Sequence, residues 1–222
     1  GKPCPYCGLP LKKSKVNGRG TTYCPHCQVP PEEKIVIGVT GPIASGKSTV
    51  SKYIERKGYL RFDCDAIVHL LYEKKNIQKK LQEAFGNQVV QDGRIDRKFL
   101  LGIVSKDRRK RQDLESIIHP MVYKAIEEGI KKTKQNRIVL DVPLLFGSPL
   151  EKLCNATILV TAKDEIRMKR LEERGVDIHK SLSLNEDYPL SEGLKKATIH
   201  LETKTTPLLE LYKQIDKIRF LD

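Results

Sequence analysis

An apolar run from Ile35 to Thr40 leads directly into Gly41-Pro-Ile-Ala-Ser-Gly-Lys47-Ser48, which fits G-x-x-x-x-G-K-S and continues into residues at helical spacing. Strand, glycine loop and helix in that order form the setting in which backbone N–H groups and a helix N-terminus surround a phosphate. The candidate nucleotide loop comprises Gly41, Pro42, Ile43, Ala44, Ser45, Gly46, Lys47, Ser48 and Thr49. Lys47 neutralises charge toward the γ-phosphate of ATP and the Ser48 hydroxyl ligates Mg²⁺ in such a loop. The competing reading is a chance glycine-rich turn.

A loop of this kind belongs to an α/β domain, and the remaining sequence keeps to that alternation. Strands are expected at Ile35 to Thr40, Tyr59 to Phe62, Ile138 to Val142 and Ala156 to Thr161, with a weaker one at Thr198 to Leu201. Helical spacing covers Ser48 to Lys57, Leu70 to Phe85, Phe99 to Thr133 and Pro207 to Ile218. The expected fold is a P-loop kinase-type α/β domain, a parallel sheet with helices on both faces. At 222 residues, 39% hydrophobic and 31% charged, the chain suffices for one such domain plus a small module. Its longest apolar runs fall far short of a bilayer span.

The small module announces itself by cysteine placement. Cys4, Cys7, Cys24 and Cys27 lie in the first 27 residues, whereas Cys64 and Cys154 stand alone. Two C-x-x-C pairs separated by 16 residues let four thiolates converge on one tetrahedral metal, which points to structural Zn²⁺ rather than a catalytic ion. Two disulfides are the alternative; with no secretory signal a reducing, cytoplasmic compartment is expected, which disfavours them. Paired prolines at Pro30 and Pro31 put the boundary near Pro31, giving a finger over 1–30 and a larger domain over 34–222. Gly1 in place of an initiator Met is expected to mark a cut through a longer protein.

The net charge of +13 implies polyanionic partners, which include nucleotides, cofactor phosphates and nucleic acid. Charge runs at Lys106 to Arg111 and Lys131 to Arg137 read as solvated helix faces and a loop. A sharper signal is Asp63-Cys64-Asp65 at the end of the second strand, where open α/β sheets place ligands. Asp65 is the candidate base for an attacking hydroxyl, with Asp63 sharing the site. The structural alternative makes Asp65 the cap of a helix that begins at Ala66.

Two resemblances follow from these motifs. Lys2-Pro-Cys-Pro-Tyr-Cys-Gly8 with Asn17-Gly-Arg-Gly-Thr-Thr-Tyr-Cys-Pro-His-Cys-Gln28 resembles the C-terminal zinc finger of formamidopyrimidine-DNA glycosylases. That resemblance implies a β-hairpin finger whose arginine, at the position of Arg19, contacts DNA phosphates, with Lys12, Lys13 and Lys15 able to add to the contact. It implies no glycosylase chemistry, because the family's catalytic domain is absent from this sequence.

From Lys34 onward the chain resembles dephospho-CoA kinases. The resemblance rests on Ile37 to Val50, Asp63 to His69, Phe85-Gly86, Gly93 to Arg97, Leu114 to Pro120 and Asp141 to Phe146, in that order. It implies ATP-dependent phosphorylation of the 3′-hydroxyl of dephospho-CoA, with Lys47 and Asp65 catalytic. It further implies that Arg170 and Arg174 touch ATP and that Asp63, Arg97, Pro143 and a turn holding His119 and Pro120 touch the acceptor. Departures cluster late: Gly147 replaces an acidic residue, Arg167 a glutamine, Ser183 to Tyr188 a lid helix and Thr203 an asparagine. They fall on the lid and nucleotide contacts, so activity loss is one expectation. Two other readings compete, a DNA-binding finger protein with an inert kinase fold and another P-loop nucleoside kinase or GTPase. Against a GTPase, Thr161-Ala-Lys-Asp164 is one residue out of register with the guanine motif.

Overall fold

In a computed structural model, residues 2–16, 19–28, 34–178, 181, 188–204 and 208–221 are described. The chain divides into two units, one made of Gly1–Phe62, Thr133–Val176 and Asp187–Asp222, the other of Asp63–Lys132 and Asp177–Glu186. The expected boundary at Pro31 falls outside the described residues. Among those residues no helix is long and apolar enough to cross a membrane.

The first unit is organised on a five-stranded sheet. In chain order its strands are β3 (Ile35–Thr40), β4 (Leu60–Asp63), β7 (Arg137–Asp141), β8 (Ala156–Thr161) and β9 (Ile199–Glu202), in spatial order β4-β7-β3-β8-β9. β3 runs parallel to β7, with Val39 opposite Asp141, and parallel to β8, with Ile37 opposite Ala156; β8 and β9 are also parallel. β3, β7 and β8 are the apolar runs of the sequence because both faces of the sheet are covered. Ile37 and Val39 share a cluster with Val50 and Ile54 of α1 (Lys47–Arg56) and with Leu211 and Ile215 of α8 (Leu208–Asp216). On the opposite face Leu145 and Cys154 crowd Gly38, and Leu159 meets Gly193 of α7 (Leu190–Lys196). α6 (Asp164–Glu173) follows β8.

The finger's hairpin, β1 (Lys12–Val16) and β2 (Arg19–Tyr23), is antiparallel, with Lys12 opposite Tyr23. Its buried residues do not form a core of their own. Cys4, Cys7, Leu9 and Cys24 belong to the same apolar cluster as Tyr59, Ile218, Phe220 and Leu221. The His26 ring stands edge-on to Phe220 at 6.5 Å, and the Tyr59 hydroxyl donates to the Phe220 carbonyl at 3.4 Å. So few residues cannot bury a hydrophobic core unaided, and the finger shares one with Tyr59 and residues 218–221.

The second unit is helical: α2 (Cys64–Tyr72), α3 (Lys75–Phe85), α4 (Arg97–Val104) and α5 (Arg108–Lys132), with a short hairpin of β5 (Val90–Gln91) and β6 (Arg94–Ile95). Helical spacing alone merged α4 with α5 and ran α3 back to Leu70. The break between α4 and α5 comes where the Asp107 carboxylate accepts from the backbone N–H groups of Arg109 and Lys110 and starts a new helix, as Asp96 starts α4 by accepting from Phe99. Gln78 ties this unit together by donating to the carbonyls of Tyr72 and Gly93, each at 2.9 Å.

Two expectations about local structure are corrected. His119 and Pro120 do not form a turn; both lie inside α5, where Pro120 removes one backbone donor without ending the helix. The cap of α2 is Asp63, not Asp65. The Asp63 carboxylate accepts from the backbone N–H groups of Asp65 at 3.0 Å and Ala66 at 3.2 Å, which puts Asp65 in the first turn.

Candidate active site and metal centre

The phosphate loop joins β3 to α1, and its shape depends on particular residues. Gly46 precedes the helix at φ 95°, a left-handed conformation that a side chain would strain. A side-chain carbon at Gly41 would run into the Val160 carbonyl of the neighbouring strand. Three loop carbonyls are engaged from behind: Arg167 Nε donates to Ile43 at 2.9 Å, Arg170 Nη1 to Ala44 at 3.0 Å and Thr203 Oγ1 to Ser45 at 2.6 Å. Carbonyl oxygens held this way are kept off an incoming phosphate, whose oxygens they would repel. The Ser45 hydroxyl is buried in the loop and has no hydrogen-bond partner among the described residues, as suits a group that waits for a ligand.

Arg167 and Thr203, two of the expected losses, are therefore the residues that brace the loop. Arg170 joins Thr203 in this, donating also to Thr203 Oγ1 at 2.9 Å and to the Lys204 carbonyl at 3.2 Å. Burial, with Arg174 nearby, holds its guanidinium below the usual range. Arg174 ends α6, and it lines with Gly46, Thr49, Arg170, Thr203 and Lys204 a cavity of about 330 Å³. Basic and hydroxyl groups bordering the helix start suit a nucleotide. At Gly147, another of the departures, the backbone N–H donates to Glu151 Oε2 at 2.7 Å. Of the departing lid segment, residues 183–187 lie outside the described residues; Tyr188 Oη meets Thr40 Oγ1 at 3.3 Å, and Thr40 donates to the Pro143 carbonyl at 2.9 Å.

Lys47, in the first turn of α1, ion-pairs with Asp141 at the end of β7, a carboxylate only 1% exposed. The Ser51 hydroxyl donates to Asp141 Oδ2 at 2.7 Å, and Arg61 Nη1 approaches the same oxygen at 3.3 Å. Sequence reasoning used Asp141 only as part of a motif and gave Arg61 no role. The available signal was a carboxylate ending an apolar strand. Which charged side chains reach it depends on β7 lying between β3 and β4. Ser48 is exposed beside Lys47.

In the second unit Asp65 is exposed, in the first turn of α2. Arg97 opens α4, is exposed, and its Nη1 lies 3.0 Å from His69 Nε2. His119 is half-buried 5.7 Å from the Tyr123 ring, and burial pushes its imidazole below 6.5.

The four sulfurs of Cys4, Cys7, Cys24 and Cys27 all lie within 4.8 Å of one another, with Cys4 and Cys27 3.9 Å apart and Cys7 and Cys24 3.5 Å apart. A tetrahedron with zinc–sulfur arms of about 2.3 Å has edges of about 3.8 Å, so the cluster fits a structural zinc site. The distances exceed a disulfide bond, and none of these four cysteines is in a disulfide. Backbone N–H groups of Cys7 and Tyr6 draw the Cys4 thiol down to about 7, while burial pushes the Cys7 and Cys27 thiols up when no metal shares the cluster.

Comparison with known proteins places both parts. The family model described as dephospho-CoA kinase matches residues 35–205, and one described as a zinc finger found in FPG and IleRS matches residues 1–29. A dephospho-CoA kinase of Fusobacterium nucleatum is 37% identical over 187 residues, covering 82% of this chain and 96% of that protein. One from Lactobacillus johnsonii is 33% identical over 189 residues, covering 82% and 95%. Among solved structures, a Thermus thermophilus protein aligns with TM-score 0.69 and 32% identity over 84% of this chain and 96% of its own. A dephospho-CoA kinase from Campylobacter jejuni shares the fold, with TM-score 0.56 and 23% identity over 83% of this chain and 95% of its own.

Proposed function

The chain belongs to the dephospho-CoA kinase family, and from that membership we propose how its residues phosphorylate the 3′-hydroxyl of dephospho-CoA with ATP. The observation that carries the reading is the loop: braced carbonyls, a buried hydroxyl without a hydrogen-bond partner among the described residues, and a lysine held at the phosphate end of α1 by Asp141. Phosphoryl transfer asks mainly for positioning and charge stabilisation, and these residues supply both. Lys47 moves onto the phosphate oxygens, while Arg170 and Arg174 border the space for the rest of the nucleotide. Mg²⁺, ligated by the Ser48 hydroxyl, would neutralise charge on the phosphates.

On the acceptor side, Asp65 takes the proton of the ribose hydroxyl, a weak nucleophile at neutral pH that needs a carboxylate to orient it. Its exposure and the assignment of capping to Asp63 support this choice. Asp63, Arg97, His119 and Pro143 are assigned to hold the acceptor. The division into a finger over 1–30 and a kinase domain over 34–222, and a cytoplasmic location suited to thiolate ligands, belong to the same reading.

The test is ADP release with ATP and Mg²⁺ against dephospho-CoA, adenosine and pantetheine. Turnover confined to dephospho-CoA, and lowered by ~10² or more in Lys47→Ala, is expected. Equal rates with all three acceptors would refute the substrate assignment.

A second role is proposed for the finger, weak duplex DNA contact through phosphates, on the strength of exposed Lys12 and Lys13 on β1. The Arg19 side chain is outside the described residues. Duplex binding at low salt that survives Arg19→Ala unchanged would count against it.

A further inference from the structure

Asp141 poses an electrostatic problem. A carboxylate 1% exposed must stay compensated, because an uncompensated buried charge is strongly destabilising. Lys47 compensates it before nucleotide binds, yet the reading of the loop as the ATP site requires Lys47 to serve the phosphates. When Lys47 turns to phosphate, Asp141 needs another cation.

Arg61 is placed to be that cation. It leaves β4 with its side chain 14% exposed and uses the two sides of its guanidinium separately: Nη1 faces Asp141 Oδ2 at 3.3 Å and Nε faces Glu55 Oε2 at 3.2 Å. Glu55 lies on α1, the helix that begins with Lys47, so one planar fork bridges α1 and β7. Lys47 holds Oδ1, whereas Arg61 and the Ser51 hydroxyl hold Oδ2. The two cations thus occupy different oxygens, and one can leave while the other stays. Arginine suits this post, since it remains charged and its fork geometry is fixed.

We propose that Arg61 is a positioning residue for nucleotide binding: it keeps Asp141 compensated and thereby releases Lys47 to the phosphates of ATP. This deepens the kinase reading and rests on the loop being the ATP site. Without Arg61, moving Lys47 to phosphate strips the buried carboxylate of both cations, so Lys47 stays on Asp141 and nucleotide binds more weakly. Arg61 acts through Asp141 and Lys47 rather than by touching the substrate.

The test measures binding of ADP in EDTA by titration calorimetry, together with the kcat and KM for ATP. Arg61→Met, which keeps length but removes the charge, should weaken ADP binding about tenfold and raise KM for ATP more than it lowers kcat. Arg61→Lys should recover most of that loss. In an Asp141→Asn background, where no buried charge needs compensating, Arg61→Met should cost less than about twofold. Unchanged ADP affinity in Arg61→Met would overturn the proposal. So would an equal loss with and without Asp141→Asn, which would mean that Arg61 acts on the nucleotide directly or through general stability. Should the Asp141→Asn protein not fold by thermal unfolding, the Arg61→Met and Arg61→Lys contrast decides: a loss that lysine does not restore overturns the proposal. Failure of the wild type to bind ADP would refute the ATP-site reading itself; wild-type binding with an indifferent Arg61→Met refutes this inference alone.

Discussion

Leu9→Ala is the sharpest probe of whether the zinc finger is part of the kinase's stability. Leu9 is 1% exposed, sits between the two thiolate pairs, and shares a cluster with Ile218, Phe220 and Leu221 at the end of the chain. Truncating a buried leucine to alanine costs roughly 2–5 kcal/mol, from lost burial and the cavity left behind. At about 2.1 cal/mol/K per residue, a chain of this length unfolds with an entropy on the order of 0.45 kcal/mol/K. A loss of ~3 kcal/mol therefore lowers Tm by about 6–7 °C. The helical far-UV dichroism signal is the assay, because the described finger residues are strand and turn, so helix loss reports on the rest of the molecule. Zinc removal with a chelator, or Cys4→Ser, should move the same transition in the same direction. A helical transition unmoved by Leu9→Ala and by chelation would refute the shared core and leave the finger an independent module.

Three further outcomes are expected. Asp65→Asn should abolish turnover on dephospho-CoA with Tm unchanged, while Asp63→Ala should cost about 1 kcal/mol of stability through loss of the α2 cap; the reverse pattern in paired Tm and rate measurements would exchange their roles. Burial holds the His119 ring below 6.5, so the unfolded chain takes up that proton first and stability falls as pH drops from about 6.5 through the folded value. His119→Gln should flatten that part of a stability-versus-pH curve, and an unchanged slope would show that the ring is not the source. Purified protein should carry one zinc per chain by elemental analysis; a content below about 0.2 would reject the thiolate site.

Much of this protein was legible in local sequence. The strands β3 and β8 have the expected bounds, because a segment buried on both faces must be apolar throughout and its ends are marked by loop residues. The phosphate loop was readable because its glycines answer to backbone geometry at single positions, and the zinc ligands because their spacing alone lets four sulfurs meet. Helix boundaries in the second unit were less legible: periodicity continues across the α4–α5 break, where Asp107 acts as a cap only through short-range bonds that compete with it.

What sequence could not decide was which distant side chains meet. Arg167 and Thr203 read as losses against a family pattern, yet folding brings them from 124 and 158 residues away onto the loop carbonyls of Ile43 and Ser45. Nor did the sequence show that Cys4, Cys7, Cys24 and Leu9 are buried in one cluster with Ile218, Phe220 and Leu221. Asp141, Lys47, Ser51 and Arg61 carry no common motif. The sheet order β4-β7-β3 collects them, because parallel crossovers place strands distant in sequence side by side and leave their C-terminal ends, with the polar residues there, at one edge. Local chemistry determined the elements and the ligand types, while the long-range pairing of charges with a buried carboxylate was decided only by tertiary packing, where desolvation makes each such contact count.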